Sequence, residues 1–184
     1  MPNSWKVSLN QLLNQLAAET AKSARVAIVG IGNNLRCDDA AGMLIAGALS
    51  QHGFATNTDR ILIVEAGQAP ENATADLRKF APGLVLLIDA AEMGQQPGAA
   101  RWIPMDQIDG MSASTHSLPL SMLAHYLTLE LNCTVALLGI QPGSNEVGDT
   151  LSPEVLEAVH RIVDGIDESL TRYLSAPKAE ATGD

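Results

Sequence analysis

The chain has 184 residues, 46% hydrophobic and 17% charged, with a formal net charge of −10; this suits one folded domain and argues against a disordered body. The basic residues form no run, which argues against nucleic acid and favours a cation or a basic protein as partner. Cys37 and Cys133 lack the spacing of a zinc site or disulfide framework, and no apolar run is long enough to span a bilayer, so a reducing, cytoplasmic setting without membrane is expected.

In chain order, Val7, Leu9, Leu12, Leu13 and Leu16 recur at roughly helical spacing, predicting an amphipathic helix packed on the domain; this segment lacks the apolar core of a signal peptide. The strand "RVAIVG", a helix after Asp38, the strand "RILIVEAG" and a helix over "APENATADLRKFA" follow. "GLVLLIDAA" is a fully apolar strand ending on an acid, and "GAARWIPM" holds a short edge strand. Ser117 is placed to cap a helix over "LPLSMLAHYLTLE", with Pro119 tolerated in its first turn. "CTVALLGIQP" is the last strand. Ser152 caps a final helix that has Pro153 at its first position and runs to about Leu174. The polar tail "SAPKAEATGD" is expected to be disordered.

The chain therefore reads as a single domain with an N-terminal helical extension (1–24), a core (25–174) and a tail (175–184). Strands apolar on both faces, alternating with helices, predict a three-layer α/β sandwich: a twisted, mostly parallel five-stranded sheet with helices on both faces. Long polar helix faces point to a monomer. Sites in such folds lie at the carboxyl ends of the strands, here residues 30–39, 65–72, 89–94 and 141–145.

"GIGNNL" begins like a dinucleotide-binding loop, but the chemistry opposes that use. Leu35 stands at the third glycine position, where its side chain would crowd helix–strand packing, and Glu65 lies later than the usual interval of about 20 residues. Asp38 and Asp39 occupy the helix N-terminus where a pyrophosphate would bind, and would repel it. Capping and the helix dipole account for one of them, and Arg36 could pair with either.

Asp39, Asp89 and His116 sit on three loops of one plausible edge. Two carboxylates and an imidazole suit a divalent cation with open positions; a backbone hydrogen bond for Asp89 and a surface position for His116 are the plainer alternatives. No nucleophile elbow is present. Cys37 reads as a small, half-buried thiol, because no neighbour in sequence activates it. His52, His125 and His160 read as surface or packing residues on helices.

"GIGNNLRCDDAAG", "EAGQAPEN", "LLIDAAEMGQQPG", "THSLPL" and "LLGIQP", in this order, resemble the nickel–iron hydrogenase maturation endopeptidases, closest to the branch serving the formate-hydrogenlyase-type hydrogenase. The resemblance implies an endopeptidase that removes a C-terminal extension from the hydrogenase large-subunit precursor after nickel insertion. It also implies that Asp39, Asp89 and His116 are the metal ligands and catalytic residues, that nickel arrives with the precursor, and that another divalent cation can take the site in the isolated protein. Asp38 would then cap the helix and position Asp39. Ala40 and Cys37 depart from the family pattern without touching the three ligands. A non-catalytic nickel- or precursor-binding chaperone is the alternative function.

Overall fold

A computed structural model describes residues 4–18, 25–53, 59–103, 107 and 119–176. The apolar runs become a sheet of β1 (Val26–Ile31), β2 (Ile61–Gly67), β3 (Leu84–Ala90), β4 (Ala100–Ile103) and β5 (Thr134–Ile140). The order is β2-β1-β3-β5-β4, parallel except for the antiparallel edge strand β4. Every residue of β1 and β3 is buried, as expected of central strands covered on both faces.

Alternate residues of a strand point to opposite faces, so the sheet feeds two cores. Val26, Ile28, Leu84, Leu86 and Leu138 pack under α1 (Ser4–Ala18), α2 (Ala41–Gln51) and α5 (Pro153–Ser175). Ala27, Val29, Val85, Leu87 and Leu137 pack under α3 (Thr74–Phe80) and α4 (Leu120–Leu131). The result is the three-layer sandwich the pattern predicted. No helix among the described residues is long and apolar enough to cross a membrane.

Several local expectations change. In α1, Trp5, Leu9, Leu13 and Leu16 form the buried stripe, whereas Val7 is 53% exposed. The indole of Trp5 lies over Gly165 of α5, where a Cβ would come within 2.6 Å of the ring. Pro119, rather than Ser117, is the N-cap residue of α4; Ser117 lies outside the described residues. Ser152 does occupy the N-cap of α5, but its side chain makes no capping bond to that helix. The predicted disorder of the tail falls on residues almost all outside those described.

The topology locates the site. The chain leaves β1 for β2 on one side, then crosses back to β3 on the other. The carboxyl ends of β1 and β3 therefore border the point where the winding reverses, the usual crevice for ligands in open α/β sheets. Gly42 brings the start of α2 directly onto this crevice. A Cβ there would lie 2.2 Å from the Ile88 carbonyl oxygen and 2.4 Å from that of Ile31, so a larger residue would push the helix away.

Candidate active site

Asp39 follows β1 in a 3₁₀ turn, Cys37–Ala40, that runs straight into α2. The turn folds back on the strand end: the Asn33 amide donates to the Asp39 carbonyl at 3.2 Å, and the Asp39 amide donates to the Arg36 carbonyl at 2.9 Å. Gly32 makes this possible. Its φ is +142°, and a Cβ would stand 1.8 Å from the Asp39 carbonyl oxygen. Asp89 is held by β3 itself, opposite Gly139 of β5. Asp39 is 2% exposed and Asp89 fully buried. Because Gly42 seats the helix start against Ile31 and Ile88, the segment bearing Asp39 abuts the strand bearing Asp89. The two sequence-predicted acids thus share one edge, at a helix N-terminus whose dipole favours negative charge.

Asp38 does not cap its own helix. Its buried carboxylate reaches across to the connection between β5 and α5. Oδ2 accepts from the Gly143 amide at 2.7 Å, the Ser144 amide at 2.8 Å and the Ser152 hydroxyl at 2.6 Å, while Oδ1 accepts from the Ser152 amide at 2.6 Å. Burial pushes the carboxyl upward, but the Ser152, Ser144 and Gly143 hydrogen bonds outweigh it and hold Asp38 below the usual aspartate range. The Ser152 hydroxyl, expected to cap α5, is spent on this carboxylate instead.

Arg36 pairs with neither aspartate; its guanidinium donates to the Asn145 carbonyl at 2.9 and 3.2 Å. Leu35 crowds nothing, being 71% exposed, and the close approach of helix to sheet falls to Gly42. Cys37 is half-buried, with a left-handed φ of +38°, and its amide donates to the Gly148 carbonyl at 2.8 Å. His52, His125 and His160 are exposed on or beside helices, as expected.

Gln141 had no assigned role in the sequence reading, although "LLGIQP" and the strand-end window contain it. It is 5% exposed. Its Oε1 accepts from the Met93 amide at 2.7 Å and the Gln95 amide at 3.2 Å, while Nε2 donates to Glu92 Oε2 at 2.9 Å and the Pro142 carbonyl at 3.2 Å. An amide just past a buried strand end was the available signal.

His116 lies outside the described residues, and among those described no group of three His, Cys, Asp or Glu side chains could hold a metal ion. Two of the three expected ligands are therefore placed.

A sequence model of the hydrogenase maturation protease family matches residues 44–169. The chain belongs to that family. The crystal structure of a [NiFe] hydrogenase maturation protease, HycI, from Thermococcus kodakarensis superposes with a TM-score of 0.74 at 31% identity, covering 87% of this chain and 99% of that one. The hydrogenase 3 maturation protease of Escherichia coli is 35% identical over 113 residues, 61% of this chain and 69% of that protein. A Methanocaldococcus jannaschii protein that also carries a hydrogenase maturation protease name is 33% identical over 152 residues, 75% of this chain and 90% of its own. The chain is thus a peptidase of the kind its motifs implied. In this protease Asp89 falls within the matched segment, whereas the aspartate pair lies just before it.

Proposed function

We propose that this protease removes the C-terminal extension of a [NiFe]-hydrogenase large-subunit precursor once nickel is in place, and that Asp39, Asp89 and His116 read the nickel the substrate carries. The observation behind this reading is the burial of two carboxylates, Asp39 and Asp89, at the crevice where the winding reverses. Charge buried in a protein is retained when it is paired or meets a cation. Two carboxylate oxygens and an imidazole nitrogen suit a borderline divalent ion such as nickel, and the same donors would accept another divalent cation in the isolated protein.

The rigid strand β3 holds Asp89, and the 3₁₀ turn holds Asp39, so the substrate's metal site meets preset ligands rather than mobile ones. Docking it there also fixes the neighbouring peptide bond against the enzyme. Bound metal supplies the positive charge that polarises a carbonyl or water oxygen. A precursor without nickel lacks the recognised centre and stays uncut, which makes cleavage a check on metal insertion. Monomeric action in the cytoplasm belongs to the same reading.

The test is conversion of nickel-loaded and nickel-free precursor by wild type, Asp39→Asn, Asp89→Asn and His116→Ala, each checked for thermal stability. Wild type should shorten only the loaded form, and the three folded variants should leave it full length. Asp89→Glu should be slowed on the order of a hundredfold, because its oxygens move by roughly 1 Å. Near-wild-type cleavage by Asp89→Asn would remove Asp89 from the ligand set; equal cleavage of nickel-free precursor would remove nickel from the recognition step.

A further inference from the structure

One stretch of chain, from the end of β5 to the start of α5, is tied to both acid-bearing segments by buried polar side chains. On the β1 side, Asp38 receives hydrogen bonds from Gly143, Ser144 and Ser152. The Asp38 amide also donates to the Ser144 carbonyl at 3.1 Å. On the β3 side, the Gln141 side chain holds Glu92, Met93 and Gln95, just after Asp89. The Ala91 amide adds a bond to the Ile140 carbonyl at 2.8 Å.

We infer that Asp38 and Gln141 are positioning residues: through the β5–α5 connection, Asp38 on the β1 side and Gln141 on the β3 side, they hold the segments bearing Asp39 and Asp89 as one body, so that the separation of the two carboxylates is fixed. This rests on the reading that those carboxylates engage the substrate. Neither clamp needs to touch the substrate. Asp38 already has four donors on its two oxygens, and Gln141 uses both its donor and acceptor ends within the protein. A side chain so occupied has little capacity left for a ligand. Its effect on cleavage must pass through the geometry it imposes.

The variants follow from the hydrogen bonds. Asp38→Asn keeps the shape but turns an NH₂ group toward at least one of the four donors. Gln141→Met keeps the length and the neutral charge while losing all four side-chain bonds. Steady-state cleavage of nickel-loaded precursor is measured for each single variant and for the pair, well below the lowest melting temperature. Each single variant should lower kcat by about tenfold or more with KM changed much less, because misplacement of about 1 Å is enough for such a loss. The double variant should be little worse than the poorer single one, because the two clamps secure one geometry and such effects do not add. If Asp38→Asn does not fold, Ser152→Ala, which removes one donor and leaves the carboxylate, replaces it in the cycle.

Wild-type kcat in either folded clamp variant, or losses that multiply in the double, would overturn the inference. Asp39→Asn and Asp89→Asn run beside them separate the two failures. If those forms cleave normally, the site reading itself is wrong; if they are dead while both clamp variants are fully active, only the positioning role is lost.

Discussion

Asp38 and Asp39 are adjacent in sequence and similarly buried, yet the fold gives them separate tasks. Asp38 is saturated by protein donors, and this has a consequence in acid. Its folded carboxyl titrates below the unfolded one, so its stabilisation is complete above the unfolded value of about 3.9 and is lost as pH falls through the lower folded value. Asp38→Asn should therefore cost about 2 kcal/mol near neutrality, the scale of a hydrogen bond to a charged group. The gap in urea midpoints between the variant and wild type should narrow as pH falls below the unfolded aspartate value of about 3.9. A gap that stays constant over this range would mean that the charge on Asp38 contributes nothing. The two cysteines also divide. Burial pushes the Cys133 thiol up to about 11, and its Sγ lies 3.7 Å from the Leu127 carbonyl, so it stays protonated and shielded. A thiol reagent should label half-buried Cys37 in the native protein and reach Cys133 only after unfolding, as read by mass spectrometry. Cys37 enters its loop pairing through its backbone amide, so Cys37→Ser should keep cleavage within about threefold of wild type.

At the level of elements, the decisive contact is a helix start laid on two strand ends. Gly42 has carbonyl oxygens on both sides, and backbone cannot swing aside as a flexible side chain can. Gly42→Ala should destabilise by about 3 kcal/mol and, by lifting the Asp39 turn off β3, suppress cleavage even in the fraction that folds. A melt and a cleavage assay on the same preparation test both halves; an active, stable variant would show that α2 can retreat without disturbing the site. The elements themselves were mostly legible, because each strand and helix carries its own periodicity. The caps were less so. Ser152 sits where a cap belongs, but a neighbouring carboxylate competes for its hydroxyl, and no local pattern announces a partner more than a hundred residues away.

Across the whole molecule, α1 contributes stability by packing on α5, with Trp5 against Gly165. Gly165→Ala would drive a methyl into the Trp5 ring and should cost about 1–3 kcal/mol, lowering the melting temperature while kcat well below it stays unchanged. A matching loss of kcat would mean that the docking of α1 on α5 reaches the site.

The sequence by itself determined the layer architecture, the burial of β1 and β3, and the strand-end position of Asp89, because hydrophobic periodicity is a local property that survives without knowledge of partners. It also carried the motifs that place the chain among hydrogenase maturation proteases. Only the tertiary structure decided that β3 lies beside β1, that Gly42 rather than the third position of the glycine loop makes the close approach, and that Asp38 and Gln141 share one connection between them. These are contacts between segments far apart in sequence. Their geometry depends on how the strands are ordered and how closely a helix can approach them, and neither is written in any single stretch of residues.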